Sequence, residues 1–61
     1  MKGEILYEFH RIGGSVKATA IDPETGREVS VVGPASAGER ALAEAAAKKL
    51  RYVLSREAAK G

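Results

Sequence analysis

Two glycine-containing turns divide the first half of the chain into three runs in which apolar and polar residues alternate. The first turn is Gly13-Gly14, and the second is Pro-Glu-Thr-Gly at residues 23–26. A Gly-Gly pair between such runs is typical of a tight β-hairpin loop, because primed turns need positive φ. In the second turn, proline presets φ and glycine accepts the left-handed position at the end. The pattern predicts three consecutive antiparallel strands at about 4–12, 15–22 and 27–32.

The two turns predict registers that agree with each other. A two-residue loop at the first turn places Phe9 opposite Ala18, and a four-residue loop at the second places Ala18 opposite Val31. Both registers bring the same apolar set to one face of the sheet: Ile5, Tyr7, Phe9, Val16, Ala18, Ala20, Val29 and Val31. A slip of one residue in either hairpin would destroy this agreement. We therefore expect this face to pack against the rest of the chain.

A C-terminal helix is predicted at about 37–58. Ser36 and Glu39 have the spacing of a capping box, and Gly33-Pro34 is expected to stop the third strand before it. The helical segment is rich in Ala, Leu, Glu, Lys and Arg, which are strong helix formers. Its apolar stripe at helical spacing consists of Leu42, Ala46, Leu50, Val53 and Leu54. The expected fold is α+β, a three-stranded β-meander packed on one helix, in a single small domain over residues 1–61.

Composition excludes several classes of function. The chain of 61 residues contains no cysteine and one histidine, so disulfides and thiolate metal sites are impossible. We expect no enzyme activity, no cofactor and no metal site. No apolar run approaches the roughly 18 residues of a membrane span. The expected location is therefore the cytoplasm, with no membrane association.

Two local patterns with possible chemistry have simpler explanations. Residues 33–38 have the glycine spacing of a phosphate-binding loop, but Glu39 stands where that motif needs a lysine. His10 lies on the predicted sheet face away from the helix, near Glu8 and Thr19. Catalysis would require an oriented nucleophile or base beside this histidine, and ordinary cross-strand polar packing is the preferred explanation of the group.

The sheet face away from the helix carries four apolar side chains among polar ones, and they form the candidate interface: Leu6, Ile12, Ile21 and Val32. Exposed apolar groups of this kind often mark an interaction surface. A chain this short also buries only about 60% of its unfolded surface, so a partner would add stability. We expect a non-enzymatic interaction module that is a homodimer or the accessory subunit of a protein partner. The sheet face and the strand edges both remain open as the contact.

The alternative function is nucleic-acid binding through the end of the helix. Residues 48–60 hold five basic side chains and one acidic one, although the whole chain has a net charge of only +2. At 100° per residue, one flank of the helix contains the candidate nucleic-acid contacts Lys48, Lys49, Tyr52 and Arg56. A basic flank with an aromatic side chain can bind phosphates, RNA and DNA alike. Cations at a helix C-terminus also complement the helix dipole without any ligand.

Two resemblances accompany these patterns. The segments YEFHRIG from Tyr7, VKATAID from Val16 and TGREVSVVGPAS from Thr25 resemble a family of very short, uncharacterised proteobacterial proteins, a domain of unknown function. That resemblance implies a small bacterial protein and no particular activity. Three strands followed by the helical segment AAAKKL at Ala45 are also similar to the C-terminal part of double-stranded RNA-binding domains. In that alignment only Arg40 is basic where the RNA-binding family has its lysine cluster.

Overall fold

The computed structural model describes residues 4–60, which form an antiparallel sheet with one helix on one face. The strands are β1 (Leu6–Ile12), β2 (Ser15–Ile21) and β3 (Glu28–Pro34), in the spatial order β1-β2-β3. A 3-10 turn at Ala35–Ala37 leads to helix α1 (Glu39–Lys60). This architecture confirms the predicted α+β meander with a C-terminal helix. The single-domain prediction for residues 1–61 extends beyond the described residues at both ends.

The first hairpin has the predicted register. Ile12 pairs with Ser15 across the two-residue loop, and Phe9 pairs with Ala18. Gly13 has φ 59°, and it is the only residue of this loop with positive φ, as a type II′ turn requires of its first central position. The glycine therefore allows the turn whose twist matches that of the flanking strands.

The second hairpin also has the predicted register, with Ala18 opposite Val31. Its four-residue loop is closed by the backbone N–H of Asp22, which donates to the carbonyl oxygen of Arg27 at 2.9 Å. Gly26 has φ 76° and donates its N–H to the carbonyl oxygen of Asp22 at 2.8 Å. Both loop lengths predicted from the sequence are therefore confirmed.

The prediction that Gly33-Pro34 ends the third strand is wrong. Gly33 pairs with Val16 and Pro34 pairs with Ser15, so β3 continues to Pro34. Proline is compatible with an edge strand when its nitrogen faces away from the neighbouring strand. The N–H of Ala35, one residue later, donates to the carbonyl oxygen of Gly14 at 2.8 Å and extends the pairing further.

The predicted capping box at Ser36 is also wrong. Ser36 lies in the 3-10 turn, and α1 begins at Glu39 rather than near residue 37. The first helical hydrogen bond runs from the N–H of Leu42 to the carbonyl oxygen of Gly38 at 3.2 Å. Gly38 has φ 88°, a conformation that favours glycine, so it is the residue that redirects the chain into the helix.

The core is built largely from small side chains. Seven hydrophobic residues are buried among the described ones: Val16, Ala18, Ala20, Leu42, Ala46, Ala47 and Leu50. Alanines on both layers let the helix approach the sheet closely. At Gly33 the approach is so close that an added Cβ would lie 2.6 Å from Cδ2 of Leu42. Val53 and Leu54, the last positions of the predicted apolar stripe, are only partly buried.

The helix packs mainly on β2 and β3, which leaves β1 uncovered. A helix is about 10 Å wide with its side chains, and neighbouring strands are about 4.8 Å apart, so one helix covers roughly two strands. Tyr7 and Phe9 have the predicted parity for the helix-facing side, but they are 40% and 38% exposed. The predicted side of the sheet is therefore right for both residues, but the prediction that they pack against the rest of the chain is wrong. They lie beside the core rather than in it.

A matched pair of substitutions tests this packing. Ala46 is fully buried under the sheet, whereas Ala45 is exposed on the same helix. Ala46→Leu should overpack the core and lower the free energy of unfolding by about 1–3 kcal/mol. Ala45→Leu makes the identical chemical change with the same helix propensity cost and should be nearly neutral. Urea titration measures both, and equal midpoints for the two variants would contradict the orientation of α1.

Candidate interaction surfaces

Strand β1 is the least covered element of the fold. It is an edge strand, and all seven of its residues are exposed. The exposed large hydrophobic side chains of the described residues are Leu6 at 51%, Tyr7 at 40%, Phe9 at 38%, Ile12 at 61%, Val32 at 69% and Tyr52 at 60%. Four of these six belong to β1, on both faces of the strand. Tyr7 and Phe9 were not predicted from the sequence to be surface residues, although the width of a single helix was a signal that could have identified them.

The structure does not bring the four residues of the candidate interface into one continuous patch. Leu6 lies directly opposite the half-buried Ile21 at one end of the outer sheet face. Ile12 and Val32 lie toward the other end, on the two edge strands, with Ser15 and Lys17 of β2 between them. The apolar side chains of the outer face are therefore separated from one another.

A polar row separates the Leu6 end of this face from the end that holds Ile12 and Val32. Glu8 pairs with Thr19, and Thr19 pairs with Ser30. The hydroxyls of Thr19 and Ser30 form a hydrogen bond of 2.8 Å. Because this row is small and polar, a partner that covers the whole outer face would have to satisfy hydroxyls and a carboxylate at its centre.

The other edge of the sheet, formed by β3, is hydrogen-bonded at its midpoint by a side chain of α1. The Nζ atom of Lys49 donates a hydrogen bond of 3.0 Å to the backbone carbonyl oxygen of Ser30. That carbonyl belongs to the side of β3 that faces away from β2. Lys49 therefore interacts with the protein's own sheet, and its position shows that the basic flank lies on the β3 side of α1.

The four candidate nucleic-acid contacts are all exposed on α1, as predicted, but two of the three cations have partners within the chain. Lys49 is bonded to Ser30. The guanidinium of Arg56 lies 5.8 Å from the centre of the Tyr52 ring, and its Nη1 donates to the Tyr52 hydroxyl at 3.2 Å. This leaves Lys48 as the member of the flank for which the structure shows no partner among the described residues.

An open depression of about 470 Å³ lies between the second turn and the end of α1, with Asp22, Arg51 and Ser55 among its lining residues. Asp22 is only 2% exposed. Its carboxylate accepts hydrogen bonds from the N–H of Glu24 at 3.1 Å and the hydroxyl of Thr25 at 2.9 Å. Both carboxylate oxygens of Asp22 therefore hold the turn. The depression is explained by the structure of the loop and not by a ligand site.

The two weak motifs of the sequence gain no support from the structure. Gly33 lies inside β3 and residues 35–37 form the 3-10 turn, so no loop exists that could surround a phosphate. His10 is exposed and lies opposite Lys17 on β2. Among the residues that the structure describes, no group of three His, Asp or Glu side chains is placed to hold a metal ion. The helix of the described segment is also not long and apolar enough to cross a membrane.

These features define a small α+β protein with one face of its sheet and one strand edge uncovered. The chain belongs to the family described as a domain of unknown function, DUF6898, whose model matches residues 2–57. No curated protein and no solved structure matches the chain. The similarity to double-stranded RNA-binding domains therefore rests on the sequence pattern alone.

The structural role of Asp22 can be tested directly. Asp22→Ala removes the acceptors of the Glu24 N–H and the Thr25 hydroxyl at a buried position, which should lower stability by about 1–3 kcal/mol. Glu24→Ala, at an exposed position of the same loop, keeps the backbone N–H and is the control. Chemical denaturation of both variants provides the measurement. If Asp22→Ala were as stable as wild type, the carboxylate would have to serve something other than the turn.

Proposed function

We propose that this protein is a non-enzymatic interaction module that self-associates through the uncovered part of its sheet. One observation carries the proposal: the described residues bury three large hydrophobic side chains, Val16, Leu42 and Leu50, and expose twice as many. Burial of apolar surface is the main source of stability in folding and association. A partner that covers β1 would therefore bury apolar surface that the fold itself leaves exposed.

The size of the protein supports the same proposal. The buried cluster is dominated by alanines, which contribute little apolar area each. The entropy of ordering the chain opposes nearly all of this gain. A second copy carries the same exposed apolar side chains. In a symmetric dimer one interface therefore covers these side chains on both chains.

Light scattering coupled to size exclusion tests the proposal. Wild type should have twice the mass of one chain between about 10 µM and 1 mM, with a melting temperature that rises with protein concentration. Tyr52→Ala, which removes an exposed aromatic from the helix flank far from β1, should leave the mass unchanged. A wild-type protein that remains monomeric at the highest concentration would refute self-association.

Nucleic-acid binding through Lys48, Lys49, Tyr52 and Arg56 is the second candidate. In its favour, Lys48 and Tyr52 are exposed on the same flank. Against it, the internal partners of Lys49 and Arg56 would have to be given up for phosphate contacts. This competition makes the flank a weaker candidate than β1.

A gel-shift titration separates the two candidates. At about 50 mM salt, where phosphate contacts are strong, we expect no retardation of mixed RNA or DNA by wild type. A shift that disappears in Lys48→Glu but persists in Lys17→Glu would instead assign the function to nucleic acid. Lys17→Glu is a suitable control because it makes the same charge change at an exposed position on the sheet face away from the helix.

A further inference from the structure

The hydrogen-bond pattern of the sheet shows which backbone groups of β1 are unpaired. Asp22 donates its N–H to Arg27, and Ala35 donates to Gly14, so the even-numbered positions at both ends of β2 are bonded toward β3. In an antiparallel ladder the bonding side alternates with each residue. The odd-numbered residues of β2 therefore bond toward β1, to its even-numbered residues.

The backbone N–H and C=O groups of Tyr7, Phe9 and Arg11 consequently project from the outer edge of β1. All three residues are exposed. The opposite edge differs, because Lys49 donates to the outward carbonyl of Ser30 on β3. Unpaired backbone groups along an edge strand are a template for pairing with another strand. The edge that β1 offers is seven residues long.

We propose that two copies of the chain pair antiparallel along β1, about a two-fold axis at Phe9, to form one six-stranded sheet. This inference rests on the proposed self-association and specifies its geometry. The strand order of the dimer is β3-β2-β1 continued by the partner's β1-β2-β3. Both helices then lie on the same side of the sheet, and the two β1 strands occupy the space between them.

The pairing is self-complementary on the outer face of the sheet. With Phe9 on the axis, Glu8 faces the partner's His10, and Leu6 faces the partner's Ile12. By symmetry each pair occurs twice. A carboxylate faces an imidazole that can donate a hydrogen bond to it, and Leu6 and Ile12, the two most exposed aliphatic residues of β1, face each other across the axis. Directly opposed pairs of these kinds stabilise antiparallel sheets.

The helix side of the sheet is complementary as well. Phe9 packs against the partner's Phe9, and Tyr7 faces the partner's Arg11. An aromatic pair and a guanidinium beside a phenol ring are both favourable contacts. The pairing therefore explains why two aromatic residues stand on a strand that the helix does not cover.

Other registers lose this complementarity. A shift by an odd number would place opposed side chains on different faces of the sheet. Centring the pair on Glu8 opposes two glutamates and sets Leu6 against the partner's His10. Centring it on His10 opposes two histidines and sets Ile12 against the partner's Glu8. Phe9 is the centre at which apolar residues meet apolar ones and a carboxylate meets a side chain that can donate a hydrogen bond to it.

Disulfide cross-linking between two variants tests the register, because the chain has no cysteine of its own. Leu6→Cys mixed with Ile12→Cys should give a mixed disulfide under mild oxidation, since opposed residues in a non-hydrogen-bonded pair have Cα atoms about 4.5 Å apart. Each variant alone should cross-link poorly, because its two copies are six residues, about 20 Å, apart along the strand. Both positions are exposed, so the substitutions preserve the core.

Charge reversal tests the same register without a covalent bond. Glu8→Lys and His10→Glu should each weaken the dimer about tenfold, because the first removes the carboxylate that faces each His10 and the second opposes two carboxylates in each symmetry-related pair. The double variant Glu8→Lys with His10→Glu places unlike charges across the axis and should recover wild-type affinity. Failure of the double variant to recover would overturn the register.

The outcomes separate this inference from the function on which it depends. A monomeric wild type overturns both the self-association and the strand pairing. A dimeric wild type whose Leu6→Cys and Ile12→Cys variants do not form the mixed disulfide overturns the strand pairing alone. In that case a disulfide between two copies of Val32→Cys would identify the outer sheet face as the interface instead.

Discussion

The close approach of α1 to β2 and β3 is the contact on which the rest of the structure depends. Ala18, Ala20 and Ala46 are completely buried where the two layers meet, and Gly33 leaves room for Leu42. Small residues on both sides let the layers come together with few large side chains between them. The same contact fixes the helix over two strands of three, so it also determines that β1 remains uncovered.

The sequence was sufficient to predict the sheet because its turns are chemically specific. Gly13 and Gly26 both have positive φ, and the loop lengths they set give the register residue by residue. The ends of β3 and α1 were not predictable in the same way. Gly33-Pro34 is a strong stop signal in general, but proline is harmless on an edge strand, and nothing local shows which strand will be at the edge.

The candidate surfaces were predicted less well than the fold. Period-two alternation assigns a residue to a face of the sheet, but it does not say where along that face a helix will lie. Tyr7 and Phe9 were therefore placed with the core, although they lie beside it. The basic flank was correctly placed on the helix surface. The bond from Lys49 to Ser30 was not predictable, because it depends on how near α1 lies to β3.

The bond between Lys49 and the Ser30 carbonyl also bears on how far a sheet of this kind can grow. A strand that approached β3 would find one of its acceptors already taken, and a charged ammonium group on that edge. Native sheets commonly use a lysine in this way to discourage addition of further chains. With one edge defended and the other available, the proposed pairing along β1 would end in a closed dimer, and the open-ended stacking that leads to fibrils would be disfavoured. In that dimer a single side chain of the helix would limit the size of the assembly without taking part in its interface.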